Sequence, residues 1–335
     1  MTTTDLRGKK ALVTGASGFI GGHVRDALLS RGADVVSIRR KGSPPSKKGR
    51  SVEADYDDRA GLARIVREEK PDYVFHVAGA TKGVSYGDFH RGNVVPTANL
   101  AAAVREEHPA ISRFVLVSSL SVYGPSTKER PVVESDVPRP IEHYGTSKLE
   151  AEHALMAHGD AFAWSIVRPA AVYGPADVDA FELFKLAERG LNVFYGNRHK
   201  IGSWVYVDDL VAAILLAATH PAAVRQGYLV DDGVPLTWDR VQALIFEAFG
   251  KKPRTLMLPG ALVSVAAVFG EAATRLDGKP RLFNRQKAIM GEQDAWTCDS
   301  AKLRRELGWA PTVQFDEGAR RALAWYREHG WLKRA

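Results

Sequence analysis

A tyrosine and a lysine stand four residues apart in the segment Tyr144-Gly145-Thr146-Ser147-Lys148. On a helix, residues i and i+4 share one face, so the phenol and the ammonium group would be neighbours. A positive charge beside a phenol favours the phenolate and lowers the phenol pKa from its usual value of about 10. The pair therefore predicts a tyrosine that exchanges a proton near neutral pH, as general acid–base chemistry requires.

Two serines that end a predicted strand could complete this chemistry. Ser118 and Ser119 are adjacent, and Ser119 precedes Tyr144 by 25 residues. Substrates of open α/β sheets collect beside the carboxyl ends of the strands. A serine hydroxyl at that edge could hold a substrate oxygen while Tyr144 donates or accepts the proton.

A glycine-rich turn lies upstream, between a predicted strand at residues 11–13 and a predicted helix at 18–30. In this pattern the first glycine permits a tight turn, the second lets the backbone approach a pyrophosphate, and the third allows close helix–strand packing. The helix N-terminus then offers free N–H groups to the phosphates. This predicts a dinucleotide site, to which we assign Gly15, Ser17, Gly18, Phe19, Ile20 and Gly21.

The end of the second predicted strand bears on the choice of cofactor. Chains that bind NAD place an acid there for the ribose 2′-hydroxyl, whereas this chain has Arg39 and Arg40 and no acid before Glu53. Guanidinium groups suit a 2′-phosphate, so the pair favours NADP(H) over NAD(H). The alternative is two exposed arginines that open a basic loop. Asp55 is placed to meet the adenine amino group, although a solvated aspartate would look the same.

Strands and helices alternate through the first half of the chain. Helices of 10–15 residues separate the predicted strands, which indicates right-handed βαβ crossovers and a doubly wound parallel sheet. After about residue 170 the predicted elements are mostly helical, including one at residues 262–276, with short strands at 202–207 and 228–230. We therefore expect a dinucleotide-binding domain at residues 1–170 and a smaller substrate-binding lobe at 171–335, packed closely together.

Composition excludes several classes of protein. The 335 residues carry a formal charge of +7 and are 45% hydrophobic and 25% charged, close to globular averages, which argues against disorder, collagen and low complexity. The single cysteine, Cys298, rules out an intrachain disulfide and a four-thiolate zinc site. No grouping of histidine, cysteine and acid has metal-ligand spacing, so we expect no metal. One cysteine fits a reducing compartment, and we expect the protein to be cytoplasmic.

Segments with unusual charge or hydropathy bear on whether the chain has other partners. The basic run at residues 39–50 has no interleaved aromatic residue, so nucleic-acid binding is not expected. The N-terminus lacks the apolar run of a secretory signal. The longest apolar stretch, residues 256–269, is broken by Pro259 and Gly260 and is too short to span a bilayer. Contact of such a segment with a membrane surface is the less favoured alternative.

Taken together, these motifs resemble the extended branch of the short-chain dehydrogenase/reductase superfamily over nearly the whole length. The resemblance rests on the glycine turn, on the Tyr-x-x-x-Lys segment and on six further segments: residues 76–79, 118–124, 168–175, 206–210, 307–311 and 325–332. These motifs are specific for the superfamily and much less so for the substrate.

The resemblance implies roles for particular residues. Ser119 falls on the catalytic serine of the family and Tyr144 on its acid/base. Lys148 falls on the lysine that tunes this tyrosine and holds the nicotinamide ribose. The remaining positions implied to border the cofactor are Ala78, Gly79, Asn93, Pro169, Ala170 and Val172.

Departures from the family pattern narrow the substrate. Related dehydratases carry an acid just after the catalytic hydroxyl, where this chain has Leu120 and Ser121, which argues against dehydration. Sugar-nucleotide epimerases usually carry an arginine before the strand that ends at Val207, where residues 201–204 supply no charge and the nearest bases are Arg198, His199 and Lys200. The apolar run near residues 257–269 resembles the β-hydroxysteroid dehydrogenase and dihydroflavonol reductase group, in which such a helix closes over a bulky apolar substrate. An ordinary core helix would show the same pattern.

We therefore expect an NADP(H)-dependent oxidoreductase that interconverts a secondary alcohol and a ketone on a hydrophobic small molecule, such as a steroid, a flavonoid-like ring or a β-keto lipid. The alternatives are a sugar-nucleotide epimerase that retains its cofactor, and a redox-sensing or scaffolding member without turnover. Related enzymes often dimerise through helices equivalent to residues 92–107 and 143–157, and we extend a homodimer to this chain as a hypothesis.

Overall fold

The computed structural model describes residues 5–43, 48–195, 197–258 and 285–333. Its strands are β1 Lys10–Thr14, β2 Asp34–Arg39, β3 Arg50–Glu53, β4 Tyr73–His76, β5 Arg113–Val117, β6 Trp164–Pro169, β7 Ala171–Tyr173, β8 Leu191–Tyr195, β9 Ile201–Gly202, β10 Trp204–Tyr206, β11 Gln226–Val230, β12 Leu236–Thr237, β13 Arg254–Leu258 and β14 Ala295–Trp296. Its α-helices are α1 Phe19–Ser30, α2 Arg59–Glu69, α3 Tyr86–Phe89, α4 Val95–Glu107, α5 His143–Met156, α6 Phe181–Glu188, α7 Val207–Thr219, α8 Trp238–Phe249, α9 Arg285–Glu292, α10 Ala301–Leu307 and α11 Phe315–Glu328.

Seven of these strands form one parallel sheet in the order β11-β6-β5-β4-β1-β2-β3. Successive side chains point to opposite faces of a strand, and in β1 both faces are buried. Ala11 and Val13 pack with α1 and α7 on one side, whereas Leu12 packs with α2 and α4 on the other. A sheet covered by helices on both faces explains why its strands are nearly continuous apolar runs. The predicted doubly wound fold is confirmed.

The region beyond residue 170 forms a third core of its own. Helices α6, α8 and α11 pack around Tyr173 and Tyr206, and the remaining strands form three small sheets beside them. Two elements of this region, β11 and α7, nevertheless belong to the large sheet and its covering layer. The division at residue 170 and the homodimer stay predictions.

Two predicted elements differ in detail from the structure. The strand expected at residues 202–207 is split, because β9 pairs with β12 and β14 whereas β10 pairs with β7. The helix expected from residue 92 is preceded by a π-helical turn at His90–Val94, and α4 follows it. The helix predicted at residues 262–276 lies outside the described residues. Within the described ranges, no helix is long and apolar enough to cross a bilayer.

Candidate active site

The glycine turn and the end of β4 meet where the strand order reverses. The chain leaves β1 toward β2 and later returns to β4 on its other side, which opens a crevice at the carboxyl ends of these two strands. Gly15 has a φ of +72°, and a Cβ atom there would lie 2.8 Å from the backbone nitrogen of Ala78. Glycine is therefore required at this position for two reasons, backbone conformation and space.

The other two glycines of the turn have different surroundings. A Cβ on Gly21 would lie 2.1 Å from the carbonyl oxygen of Gly15, so this glycine lets α1 approach the turn. Gly18 is the N-cap of α1 and has no side-chain cap, and the first helical turn carries no acid. The free N–H groups at the start of α1 are thus available to bind an anion, and the pyrophosphate of a dinucleotide fits this site.

A buried hydrogen-bonded chain connects this turn to α4. The Thr14 hydroxyl accepts from the backbone N–H groups of Val77 and Ala78 at 3.1 and 3.0 Å and bonds His76 Nδ1 at 2.7 Å. His76 Nε2 lies 3.0 Å from the hydroxyl of Thr97. Burial lowers the pKa of His76 to about 3. The ring is therefore neutral, and its two hydrogen bonds give it a structural role.

Asn93 braces the loop after β4 against the helix that carries the tyrosine. Its amide oxygen accepts from the N–H of Ala80 at 2.8 Å, and its amide nitrogen donates to the Ala80 carbonyl at 3.1 Å and to the Ser147 hydroxyl at 2.8 Å. These bonds occupy the oxygen and both amide hydrogens. Asn93 therefore acts on the cofactor region through Ala80.

Helix α5 begins at a buried carboxylate. Glu142 accepts from the backbone N–H groups of Tyr144 and Gly145 at 2.6 Å each, which satisfies two free donors of the first turn. A Cβ on Gly145 would lie 2.4 Å from the carbonyl oxygen of Ser121. The helix start is thereby held against the short 3₁₀ turn Leu120–Val122 that follows Ser119.

The structure brings the predicted serine and tyrosine together. Ser119 accepts from the N–H of Ser121 at 3.1 Å, and its hydroxyl lies close enough to the phenol of Tyr144 to affect the phenol pKa. Burial raises the pKa of Tyr144 to about 12, the Ser119 hydroxyl opposes that rise, and the Glu142 carboxylate adds to it. The lowered phenol pKa expected from the sequence is therefore wrong for this state, because burial and the Glu142 carboxylate together outweigh the influence of Ser119.

Lys148 lies on the same helix with its ammonium turned toward the sheet. Its Nζ donates to the carbonyl oxygen of Val117 at 2.7 Å, and a Cβ on Gly79 would lie 3.7 Å from it. Burial lowers the pKa of Lys148 to about 8, against the opposing influence of the Glu152 carboxylate. The ammonium thus lies beside the loop that borders the crevice.

One buried ion pair beneath this site was missed by the sequence analysis. Arg168 Nε and Nη2 donate to the two carboxylate oxygens of Glu152 at 2.8 and 2.7 Å, and both side chains are largely buried. The pair connects α5 to the end of β6, next to Pro169, the last residue of that strand. Glu152 follows Lys148 by four residues, and this helical spacing was the only signal in the sequence.

The two arginines expected to select the cofactor have different surroundings. Arg39 pairs with Glu53 at 2.7 Å and donates to the Ser43 carbonyl at 2.7 Å. Arg40 is exposed and forms no ion pair with the described part of the chain. Residues 39 and 53 are register partners in β2 and β3. Glu53, the first acid after the two arginines, therefore lies beside Arg39 and pairs with it.

The remaining positions implied for the cofactor lie around the same crevice. Asp55 is exposed and its carboxylate accepts from the N–H of Asp57 at 3.1 Å. Pro169 and Ala170 line a cavity next to Ser119, and Val172 lies on β7 beyond them. In the described residues no group of three histidine, cysteine or acidic side chains could hold a metal ion.

The cavity beside Ser119 has a volume of about 360 Å³. Its walls are mainly apolar and aromatic, and two of its indoles, Trp204 and Trp238, are stacked with ring centroids 6.1 Å apart. Lys200 is the only ionisable side chain among the described residues that line it. This cavity was not predictable from the sequence, because its walls come from segments far apart in the chain.

Comparison with known proteins agrees with this architecture. The model of the NAD dependent epimerase/dehydratase family matches residues 11–230. The chain therefore belongs to the NAD-dependent epimerase/dehydratase family, the extended short-chain dehydrogenase/reductase type of enzyme that the motifs predicted. Its cofactor is a nicotinamide dinucleotide, and its chemistry acts on CH–OH groups.

Three relatives illustrate the range of this family. The ceramide reductase of Caulobacter vibrioides is 31% identical over 98% of both chains. A Stigmatella aurantiaca ketoreductase acting on 4-hydroxy-2-methyl-3-oxo-4-farnesyl-3,4-dihydroquinoline-1-oxide is 28% identical over 92% of this chain and 94% of its own. The structure of Thermus thermophilus UDP-glucose 4-epimerase with NAD has a TM-score of 0.76 and 26% identity, covering 95% of this chain and 99% of that one.

Proposed function

We propose that the protein is an NADP(H)-dependent oxidoreductase that interconverts a secondary alcohol and a ketone on a hydrophobic molecule. The observation that carries this proposal is the apolar, tryptophan-lined cavity that opens on Ser119, next to Tyr144. Apolar pockets with few polar groups suit apolar ligands. The ceramide reductase and the quinoline ketoreductase are relatives whose named substrates carry long hydrocarbon chains, and they support the same choice.

Each residue of the site has a defined task in this reaction. When bound, the nicotinamide supplies or accepts the hydride at its C4. Ser119 donates a hydrogen bond to the substrate oxygen, and Tyr144 gives that oxygen its proton when the ketone is reduced. Lys148 stays protonated and holds the ribose hydroxyls of the cofactor. Once its ammonium faces the phenol, it favours release of the Tyr144 phenol proton. The walls of the cavity exclude water from the reacting carbon.

A sugar-nucleotide epimerase is the second candidate, because the Thermus thermophilus relative has that activity. Gly202 lines the cavity and is one of residues 201–204, which supply no charge in the region where such epimerases usually carry an arginine. Its surroundings are open, with the nearest atoms, Trp204 Nε1 and the Trp296 carbonyl oxygen, 3.7 and 3.8 Å from a Cβ placed there. The wall thus has room for an arginine at Gly202, and Lys200 is the only cation that the described lining residues supply.

The two candidates differ in their redox balance. A reductase consumes NADPH in a one-to-one ratio with a long-chain ketone, whereas an epimerase interconverts UDP-sugars without net change in the cofactor. We expect NADPH oxidation with lipid-like ketones and no epimer from UDP-glucose. UDP-sugar turnover with no consumption of NADPH would overturn the proposal.

The preference for NADP(H) rests mainly on Arg40. Arg40→Ala should weaken NADPH binding about ten- to a hundredfold, the value of one charge-assisted contact, and leave NADH binding nearly unchanged. Glu53→Gln should tighten NADPH binding, since it frees Arg39 and removes a negative charge near the 2′-phosphate. The measurement is cofactor fluorescence titration of wild type and both variants. An equal loss for NADPH and NADH in Arg40→Ala would contradict this assignment.

The pH dependence of reduction should follow Lys148. Its pKa is lowered to about 8, and the protonated form is the active one, so kcat/KM should fall above about pH 8. Glu152→Gln removes the carboxylate that raises this pKa. Lys148 then loses its proton at lower pH, and the falling limb of the profile moves to lower pH.

Two variants control this experiment. Glu152→Asp keeps the charge and should keep the position of the limb. Glu150→Gln changes a glutamate of the same helix that is hydrogen-bonded to Tyr86, and it should leave the limb in place. A limb that stays unmoved in Glu152→Gln, in protein shown by thermal melting to be folded, would exclude Lys148 as its origin.

A further inference from the structure

Strand β13 has an unusually exposed surface for an element with apolar side chains. Every residue from 251 to 257 is exposed. The consecutive side chains of Leu256 and Met257 are 50% and 54% exposed, although alternation along a strand would normally bury one of them. Among the described residues the strand pairs only with β8.

Four cations lie at or just before the starts of the paired strands β13 and β8. Lys251, Lys252 and Arg254 precede the two apolar side chains on the same segment, and Arg189 follows helix α6 nearby. The Arg254 backbone N–H donates to the Gly190 carbonyl at 2.8 Å, and the Lys251 ammonium donates to the Glu188 carbonyl at 2.5 Å, which brings the two segments together. Within the described ranges no carboxylate forms an ion pair with any of these four cations. We call these six residues, Arg189, Lys251, Lys252, Arg254, Leu256 and Met257, the β13 patch.

The β13 patch is connected to the substrate cavity by one strand pairing. Leu258, at the end of β13, is the register partner of Tyr195 at the end of β8. Asn197, two residues farther along the chain, lines the cavity. A surface that contacts the patch would therefore lie near the rim of the proposed substrate site.

We propose that the β13 patch docks the protein on a membrane surface that carries anionic lipids. Exposed apolar side chains flanked by lysine and arginine have the chemistry of an interfacial contact, in which the apolar groups enter the headgroup boundary and the cations meet lipid phosphates. A second copy of the chain is the other occupant to consider. Two copies of this strand would bring like charges together, whereas an anionic surface neutralises them.

Docking of the β13 patch on a membrane does not depend on the proposed reaction. The role of docking in substrate uptake does depend on it. A hydrophobic ketone partitions into the bilayer, so a cavity rim held near the interface would take up substrate from the lipid phase. This second statement rests on the proposed function.

The test is co-sedimentation of the full chain with vesicles, without any substrate. We expect binding to vesicles of phosphatidylcholine mixed with phosphatidylglycerol, weaker binding to phosphatidylcholine alone, and a decrease with added salt. Lys252→Gln combined with Arg254→Gln should weaken binding to the mixed vesicles about 25-fold, from about fivefold for each cation. Leu256→Ser combined with Met257→Ser should weaken binding to both kinds of vesicle.

A matched control changes an exposed cation and an exposed apolar residue elsewhere. Lys128→Gln combined with Val137→Ser alters side chains outside the patch, the valine being 68% exposed, and should bind as wild type does. Thermal melting shows that each variant is folded. The proposal is overturned if wild type stays in the supernatant with mixed vesicles or if the patch variants bind as wild type. It is also overturned if the patch variants lose self-association in place of vesicle binding.

The same preparations separate the two proposals. Vesicle binding without reduction of any ketone would leave docking in place and remove the proposed function. Reduction of water-soluble ketones without vesicle binding would remove the docking proposal and leave the proposed function in place.

Discussion

Tyr144→Phe is expected to lower kcat for ketone reduction by about a hundredfold to ten-thousandfold, the usual contribution of one positioned acid. The change removes only the phenol oxygen, which is the group whose pKa the Ser119 hydroxyl affects. Contacts that position the helix, such as the Glu142 cap on the Tyr144 backbone, remain in place. NADPH affinity should therefore be nearly unchanged. Single-turnover kinetics and cofactor titration measure the two quantities separately.

Two neighbouring substitutions control this prediction. Ser119→Ala removes the hydroxyl that opposes the rise in the Tyr144 pKa, so it should lower kcat and leave cofactor binding intact. Lys148→Met should lower both kcat and cofactor affinity, because its ammonium lies beside the Gly79 loop as well as on the catalytic helix. If Tyr144→Phe retained more than about a tenth of wild-type kcat, another group would be the proton donor.

The fold was predictable because local and global patterns agree. Every residue of β5 is buried, and a short apolar strand that ends in Ser118 and Ser119 is the pattern of a parallel sheet covered on both faces. The same logic placed the glycine turn at β1 and the helix that carries Tyr144. These features depend on short-range spacing, which the sequence displays directly.

Contacts that depend on strand register or burial were not predictable. The pairing of Arg39 with Glu53 follows from the register of β2 against β3, which spacing alone leaves open. The Tyr144 pKa depends on how much of the phenol is removed from water, and helical spacing records only its nearness to Lys148. Charge-based reasoning therefore overstated the effect of the lysine in the state that the structure describes.

The substrate cavity was not predictable from the sequence either, because it depends on contacts between distant elements. Trp204 and Trp238 lie in separate elements, β10 and α8, and their stacking depends on how the small sheets meet the helices. Apolar residues in such segments are equally compatible with an ordinary core. The lack of charge at residues 201–204 was visible in the sequence, but its meaning depended on the open surroundings that the structure gives Gly202.

Substitutions in the glycine turn are expected to have the second large effect. Each glycine is required for a different reason, so the variants should differ in stability and in cofactor affinity. In Gly21→Ala the new Cβ would lie 2.1 Å from the Gly15 carbonyl oxygen and 2.5 Å from its carbonyl carbon. These are backbone atoms at the crevice and cannot turn aside as a flexible side chain would. Helix α1 must then move away from the turn, and we expect the free energy of unfolding to fall by about 3 kcal/mol or more, at the upper end of overpacking costs.

Gly18→Ala should separate cofactor binding from stability. Its Cβ would lie 3.3 Å from the Gly15 carbonyl oxygen, and the φ of −87° suits any residue, so the free energy of unfolding should change by less than about 1 kcal/mol. The same methyl group would occupy the space through which a pyrophosphate approaches the α1 N-terminus. We therefore expect a large loss of affinity for NADPH and NADH alike in a stable protein.

Gly22→Ala is the matched control, because Gly22 lies inside α1 and its Cβ would lie 3.6 Å from the Ala16 carbonyl oxygen, an ordinary van der Waals contact. It should raise stability by up to about 1 kcal/mol through helix propensity and leave cofactor affinity intact. Chemical denaturation and cofactor titration of the three variants measure both quantities. If Gly18→Ala bound both cofactors as wild type does, the pyrophosphate would have to bind elsewhere. The free N–H groups at the start of α1 would then need another ligand.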